Sequence, residues 1–276
     1  MADGAGEGQS DESHWWQDLT PQRIAQRAAR GGVAVLPLAA IEQHGDHLPL
    51  STDLDIANGL VAAALPRVRA DVPVCVLPPL AVGFSLEHTG FAGTLSLSPE
   101  TALAVLGEMG DSVARAGFRR LVLFNSHGGN KALVDLAALK LRAAHGMLVV
   151  RANYFRFALP PGVLDADELR HGLHGGVLET SMMLHLVPHA VRREALGDFR
   201  SLGANLAANG CLLGPEGEAG FGWMAQDLHV SGATGNAQQA SAALGARLVD
   251  HFAARLAQLI DEAHDFDLAQ LKPVPR

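Results

Sequence analysis

Residues 32–54 read G-V-A-V-L-P-L-A-A-I-E-Q-H-G-D-H-L-P-L-S-T-D-L, and this stretch indicates both the fold and the chemistry of the chain. Its first seven residues form an apolar run rich in Val and Leu, which is typical of a buried strand. Directly after that strand the chain places Glu42 and His44, and Asp53 then opens an apolar segment that predicts a helix. Carboxylates and an imidazole therefore gather at the exit of a buried strand.

These side chains suit a divalent metal ion, because ions of the zinc or manganese kind take oxygen and nitrogen ligands. Glu42 and His44 are two residues apart, so both side chains point to the same side of an extended segment. The carboxylate of Asp53 can turn back toward that pair. A Glu-x-His pair is weak evidence by itself in a chain with 13 His and 29 acidic residues, so further clusters of the same chemistry are needed.

A second cluster follows another apolar run. Residues 120–124 read R-L-V-L-F, and the chain continues N-S-H-G-G-N, with Asn125 and His127, before a helical segment that begins at Lys131. A strand, a polar glycine loop and a helix form the geometry that places active sites at the carboxyl ends of parallel strands. A helix start capped by Asn125 would explain the glycines but not the histidine beside them.

A third polar patch reads R-H-G-L-H-G-G-V-L-E-T-S-M-M-L over residues 170–184. It contains His171, His174 and Glu179. Because Glu179 precedes Met182 and Met183, we expect it in the first turn of a helix whose other face is buried. His171 by itself is interpreted as an exposed histidine rather than a ligand.

The alternation of strand and helix patterns predicts a single-domain, three-layer α/β/α fold with a mainly parallel sheet. A chain of 276 residues with 48% hydrophobic content can bury one sizeable core. Ser51 or Thr52 is expected to cap the helix that Asp53 opens, and Ser98 followed by Pro99 is typical of a helix start. The predicted strands cover residues 32–38, 74–77, 121–125 and 147–152, and the predicted helices cover 21–30, 53–64, 99–116, 131–144 and 237–263.

The composition argues against several functional classes. A net charge of −8 disfavours nucleic-acid binding, which requires a basic surface. No run of 18 apolar residues occurs, so no membrane partner is expected. Two cysteines and an acidic N-terminal segment without an apolar core favour a cytoplasmic location. We expect a disordered acidic tail over residues 1–14, one domain over 15–265 and a C-terminal tail over 266–276.

Five motifs in this order resemble those of the creatininase family of metal-dependent amidohydrolases. They are E-Q-H-G-D-H-L-P-L-S-T-D at 42–53, E-H-T-G-F-A-G-T at 87–94, N-S-H-G-G-N at 125–130, H-G-G-V-L-E-T-S-M-M-L at 174–184 and G-A-T-G-N-A at 232–237. The resemblance spans residues 36–259, most of the chain, and implies a creatininase-like α/β fold.

The resemblance also implies two divalent ions per subunit, Zn²⁺ or Mn²⁺, and a metal-bound hydroxide that attacks an amide carbonyl. Asp53 is expected to bridge the two ions, and His174 is expected to lie over the substrate and protonate the leaving nitrogen. The metal ligands that the resemblance implies fall on Glu42, His44, Asp53 and His127. The residues expected to orient ligands or contact substrate are His47, Asp55, His88 and Asn125.

Two departures from creatininase affect this interpretation. Gly129 stands where creatininase has a glutamate, two residues after the strand-end histidine, so Glu179 is the predicted replacement ligand for the second ion. Arg170 stands where creatininase has a tryptophan, four residues before His174, which argues against creatinine as the substrate.

The function predicted from the sequence is hydrolysis of a C–N amide bond, cyclic or linear, in a small molecule. One alternative is a peptidase or deformylase of the same family, which would act on a small peptide or a formamide-type nucleotide derivative. Another is a metal-binding protein without catalytic activity. The resemblance further implies a homo-oligomer, a hexamer in this family.

Overall fold

The structure, a computed structural model, describes residues 13–273. The predicted tail over residues 1–14 therefore falls outside the described residues, apart from its last two. Nine α-helices and eight strands longer than one residue follow one another in the described part of the chain, besides short 3-10 turns. They are α1 (Pro21–Ala29), β1 (Val33–Leu38), α2 (Thr52–Ala64), β2 (Val74–Val76), α3 (Pro99–Arg115), β3 (Arg120–Asn125), α4 (Lys131–His145), β4 (Leu148–Asn153), α5 (Ala166–His171), α6 (Val177–Leu186), β5 (Asp198–Phe199), α7 (Leu202–Ala208), β6 (Leu213–Gly214), β7 (Ala219–Gly220), α8 (Ala225–Leu228), β8 (Gly235–Asn236) and α9 (Ala242–Asp265).

The central sheet has four parallel strands in the order β2-β1-β3-β4. Its register pairs Leu38 at the end of β1 with Asn125 at the end of β3, and Asn125 with Asn153 at the end of β4. The carboxyl ends of three strands are therefore level with one another. The predicted parallel sheet is confirmed, and it brings the segments after β1, β3 and β4 to one edge.

Both faces of the sheet are covered, because β1 is buried along its whole length. Val33 and Val35 pack into a core shared with α2, α6 and α9. Ala34 and Leu36, on the other face, pack into a core shared with α1, α3 and α4. Apolar residues on both faces explain why this strand reads as a continuous hydrophobic run rather than an alternating one.

The helix starts follow their capping residues. The Ser98 hydroxyl accepts a hydrogen bond from the Thr101 N–H at 3.2 Å, with Pro99 at the first helical position, as predicted. Ser51 precedes α2, but its hydroxyl donates to Asp55 at 2.7 Å instead of accepting from the backbone. The last helix begins five residues later than predicted, because Ser241 caps it by accepting from the Leu244 N–H.

The chain remains in contact with the domain beyond α9. The Arg120 guanidinium donates to the Phe266 carbonyl at 3.1 Å, and the Arg142 guanidinium donates to the Lys272 carbonyl at 2.6 Å. A domain boundary at residue 265 stays a prediction. Among residues 13–273, no helix combines the length and the hydropathy that crossing a membrane requires.

Helices α6 and α9 cross closely at Gly245, and this contact supplies a test of the packing. A β-carbon there would overlap the Ser181 carbonyl oxygen, whereas a β-carbon at Gly107 on α3 would meet nothing within 4 Å. We expect Gly245→Ala to lower the free energy of unfolding by about 1–3 kcal/mol, because backbone must shift. Gly107→Ala should raise it by up to about 1 kcal/mol through helix propensity. Urea unfolding of both variants checks this, and equal stabilities would contradict the packing.

Candidate metal centre

The residues that the sequence analysis predicts as metal ligands lie together at the carboxyl edge of the sheet. Glu42 and His44 follow β1, and His127 follows β3. Asp53 lies in the first turn of α2, and Glu179 lies in the first turn of α6. All but Glu179 are nearly inaccessible to solvent, and Glu179 is half-buried.

Asp53 lies between two groups of donors, one on each carboxylate oxygen. Its Oδ2 is 3.2 Å from His127 Nδ1, and that nitrogen is also 3.2 Å from Glu42 Oε1. Its Oδ1 is 3.4 Å from His44 Nε2, which is 3.9 Å from Glu179 Oε2. Asp53 therefore has one carboxylate oxygen in each group of donors.

We define the first cluster as Glu42, Asp53 and His127, and the second cluster as His44, His174 and Glu179. Within each cluster the donor atoms lie within 4.8 Å of one another. A ligand distance of about 2.0–2.2 Å in a tetrahedral site implies donors roughly 3.3–3.6 Å apart. The 3.2 Å separations in the first cluster are close to that range, and His44 Nε2 of the second cluster lies 3.4 Å from Asp53 Oδ1 and 3.9 Å from Glu179 Oε2.

Four of the donor atoms fit a cation because they have no hydrogen-bond partner among residues 13–273. Both carboxylate oxygens of Glu42, His44 Nε2 and Asp53 Oδ2 are buried and make no hydrogen bond. Buried carboxylates without compensation are unfavourable by several kcal/mol. A set of carboxylate and imidazole donors fits zinc or manganese.

The pKa values show the same demand for positive charge. Burial opposes protonation of His44, but the Asp53 carboxylate 3.4 Å away and the charges of Glu179 and Glu42 outweigh burial and raise the pKa of His44 to about 9. Burial and the like charges of Asp53 and Glu42 raise the pKa of Glu179 to about 7, against the opposing effect of His44. Protonation of His44 and Glu179 is therefore favoured in the space where a cation would lie.

The outer nitrogen of each cluster imidazole contacts a backbone carbonyl. His44 Nδ1 lies 3.1 Å from the Glu42 oxygen, and His127 Nε2 lies 2.8 Å from the Phe84 oxygen. His174 Nε2 lies 2.6 Å from the oxygen of Gln43. An N–H on the outer side leaves the lone pair of the inner nitrogen facing the clusters, which is the arrangement of metal-binding histidines.

His88 differs from these histidines in its tautomer. Gln43 accepts from the Gly45 N–H at 2.9 Å, which fixes the orientation of its amide, and its Nε2 donates to His88 Nδ1 at 2.7 Å. The proton of neutral His88 is therefore on Nε2, 3.4 Å from Glu42 Oε1. His88 is placed to orient Glu42 rather than to bind an ion through that nitrogen.

Three imidazoles stack in a row, with His174 between His44 and His88 at centroid distances of 4.0 and 4.2 Å. Burial, and then repulsion from neighbouring imidazoles, lowers the pKa values of His88 and His174. Neutral His174 therefore carries its proton on Nε2, while Nδ1 lies 3.8 Å from Glu42 Oε1.

The other predicted residues are placed unequally. His47 Nε2 contacts the Gly175 oxygen at 2.9 Å, and thus holds the loop of His174. Asn125 brackets the His127 backbone, donating to its oxygen at 2.7 Å and accepting from its N–H at 3.2 Å. Asp55 accepts from Ser51 at the start of α2 and belongs to neither cluster, so its role in the site stays a prediction.

Glu87 opens the motif at residues 87–94, but no role was predicted for it from the sequence. A β-carbon at Gly129 would overlap Glu87 Oε1 and the Phe84 oxygen, so no side chain fits there. Glu87 Oε1 lies 3.7 Å from His127 Nε2, and burial raises the pKa of Glu87. A carboxylate from another segment therefore occupies the space beside Gly129.

Tyr154 was also missed. It is the only tyrosine of the chain, it directly follows β4, and it is completely buried with no hydrogen bond from its hydroxyl. Burial and the charges of Glu179 and Asp53 raise its pKa well above the usual value. Its position one residue beyond a strand of the parallel sheet was the available signal.

Residues of both clusters line a cleft of about 720 Å³. Leu159, Leu164, Leu169 and Trp223 also line it. Arg170 also lines the cleft, so the position that departs from creatininase does face the site. A cavity of this size fits a ligand larger than a single small ring.

Comparisons with known proteins show which proteins this chain resembles. A family model described as creatinine amidohydrolase matches residues 17–260. A mycofactocin precursor peptide peptidase of Mycobacterium tuberculosis is 39% identical over 166 residues, which are 58% of this chain and 61% of that relative's length. Creatinine amidohydrolase of Pseudomonas putida is 34% identical over 198 residues, which are 66% of this chain and 75% of that enzyme.

Solved structures extend the similarity to nearly the whole chain. A mutant creatininase of Zn–Zn type has a TM-score of 0.75, is 27% identical, and covers 93% of this chain and 100% of its own. A structure described as creatininase Mn has a TM-score of 0.74 at 27% identity, and covers 92% of this chain and 100% of its own.

The geometry of Asp53 predicts how substitutions change metal content. Asp53→Ala should empty most of both clusters, because one carboxylate serves both. Glu179→Gln should lower the occupancy of the second cluster alone, because the amide keeps the shape and removes the charge. Metal per chain after dialysis, measured by elemental analysis, checks this. Asp135→Asn, which alters an exposed carboxylate on α4 that pairs with Arg151, is the control and should keep the wild-type content. Two ions retained in Asp53→Ala would exclude the bridging role.

Proposed function

We propose that this chain, which belongs to the creatininase family, is a metal-dependent hydrolase that cleaves an amide C–N bond of a small molecule. The predicted family is thereby confirmed, and its relatives are hydrolases that act on C–N bonds. The observation that carries the proposal is Asp53, whose two oxygens each face an imidazole nitrogen beside a second carboxylate.

Two divalent ions are proposed to bind, one at each cluster, with Zn²⁺ and Mn²⁺ as candidates because solved creatininases include both forms. Glu42, Asp53 and His127 would hold one ion. His44 and Glu179 of the second cluster, together with Asp53, would hold the other, which leaves His174 for proton transfer. When bound, such ions lower the pKa of a water and polarise a carbonyl oxygen.

His174 is proposed to handle the proton of the reaction. Its Nδ1 faces the clusters with a free lone pair, because Nε2–H donates to the Gln43 oxygen. Nδ1 can accept a proton from the attacking water and pass it to the leaving nitrogen, which is too basic to depart as an anion. His47 supports this step by holding the neighbouring Gly175 carbonyl.

A second candidate is peptide hydrolysis. The cleft of about 720 Å³ and the leucines that line it favour a substrate with a sizeable apolar part. The mycobacterial relatives are named as peptidases. A short peptide would use the same clusters and the same proton transfer, so the two candidates differ only in the substrate.

Turnover on a matched panel separates these functions. The zinc- or manganese-loaded protein is assayed on short peptides, on small cyclic and linear amides, and on formamides, with product followed by mass spectrometry. Hydrolysis of small amides supports the first candidate, and hydrolysis of peptides alone supports the second. Absence of turnover on every substrate with both clusters filled would contradict hydrolysis and favour a binding protein. Light scattering would test the proposed homo-oligomer separately.

The role of His174 predicts a dependence on the leaving group. His174→Ala should keep both ions and lose about 10²–10⁴ in rate on an unactivated amide, because the leaving nitrogen is no longer protonated. An activated ester, whose leaving group needs no proton, should be nearly unaffected. Rates on both substrates and metal content are measured in wild type and variant. Equal losses would indicate positioning of substrate instead, and loss of an ion would make His174 a ligand.

A further inference from the structure

A buried carboxylate outside the motifs joins the segments that carry His174 and Glu179. Glu168 on α5 is only 8% exposed. Its Oε1 accepts a hydrogen bond from the Val177 N–H at 2.6 Å, and its Oε2 accepts from the Asn236 N–H at 2.9 Å. Glu168 thus links α5, the start of α6 and strand β8.

The first of these bonds caps α6 from another helix. Gly176 stands at the N-cap position and has no side chain to accept from the first turn. The Glu168 carboxylate accepts this hydrogen bond instead, and its negative charge is favourable at the positive end of the helix dipole. The same first turn carries Glu179, whose Oε2 accepts from the Gly175 N–H at 2.7 Å.

The second bond fixes the strand-like segment that holds His174. The Thr234 N–H donates to the His174 oxygen at 2.7 Å, and the Thr234 hydroxyl accepts from the Leu173 N–H at 3.0 Å. Asn236, two residues after Thr234, is the residue that Glu168 binds. Glu168 therefore constrains both the segment of His174 and its partner.

The chain leaves room for this carboxylate by having glycine at the positions nearest to it. A β-carbon at Gly172 or at Gly176 would overlap Oε1 of Glu168. Gly176 has φ −79° and ψ −157°, a conformation open to any residue. Steric conflict with Glu168, rather than the backbone conformation, is thus what a side chain at Gly176 would encounter.

We infer that Glu168 is a positioning residue of the proposed hydrolase, which holds the His174 imidazole and the first turn of α6 in register with the metal clusters. It has no contact with the cluster atoms in the described residues and acts only through the backbone of residues 172–177 and 234–236. The inference rests on the proposed function for its kinetic consequence, but the clamp itself has a readout independent of activity.

The test uses the full-length, zinc-loaded protein and Glu168→Gln, with Asp167→Asn as control. Asp167 is the exposed neighbour on α5, and it pairs with His171 of the same helix at 4.0 Å. The short hydrogen bond from His174 Nε2 to the Gln43 oxygen should give a downfield imidazole N–H resonance in proton NMR, assigned by its loss in His174→Ala. Glu168→Gln should broaden or lose this resonance, and Asp167→Asn should keep it. In turnover assays Glu168→Gln should lower kcat by about 10–100-fold, with KM much less affected.

Gly176→Ala is a second variant that keeps Glu168 and pushes its carboxylate away, and it covers the case that Glu168→Gln does not fold. It should lose the same resonance. An unchanged resonance with unchanged kcat in a folded variant would overturn the inference, as would a rise in KM alone, which would restrict Glu168 to the cleft wall. Loss of the resonance in a protein that hydrolyses no amide would support the clamp and contradict the proposed function.

Discussion

The structure depends on one electrostatic constraint, which is that the carboxylates of Glu42, Asp53 and Glu179 face a shared space that water barely reaches. Such groups repel one another strongly at low dielectric unless positive charge lies between them. Here that charge is supplied by imidazoles, and the pKa of His44 rises to about 9 as a result. Divalent ions supply more charge in less volume, so the same constraint that destabilises the bare cluster would favour the binding of metal ions there.

The protein meets this constraint with backbone carbonyls as well as with charges. The oxygens of Glu42, Gln43 and Phe84 each receive the outer nitrogen of one imidazole and thereby turn its lone pair inward. These carbonyls lie in segments that follow β1 or precede α3, and their positions depend on the level carboxyl ends of the sheet. The parallel sheet positions the carbonyls, and the carbonyls determine which nitrogen of each histidine carries the proton.

Much of this could be predicted from residues 32–54 and 120–130, because strand-exit polar residues in a parallel sheet converge on one edge. Asp55 is two residues from Asp53, or about 200° around the helix axis. The two carboxylates therefore point to different sides of α2, and the role of Asp55 in the site stays a prediction. The tautomer of His88 was beyond sequence reasoning, because it depends on an amide whose other bonds reach Gly45 and the Gly232 carbonyl. Glu168 was hidden for the same reason, since its partners lie 9 and 68 residues away.

The motifs and the cleft wall differ in what they determine. The donors of both clusters come from motifs shared with the family, so they fix a type of chemistry. The cleft is also lined by residues of α5, among them Leu169 and Arg170, and by the segment around Leu213. No motif was found in these two segments. Glu168 lies on the same helix as Leu169 and Arg170, and its carboxylate binds the backbone on either side of the His174 loop. The orientation of α5 in the cleft therefore depends on the same hydrogen bonds as the orientation of that loop. A change in α5 that alters substrate preference would therefore also be expected to act on the catalytic step.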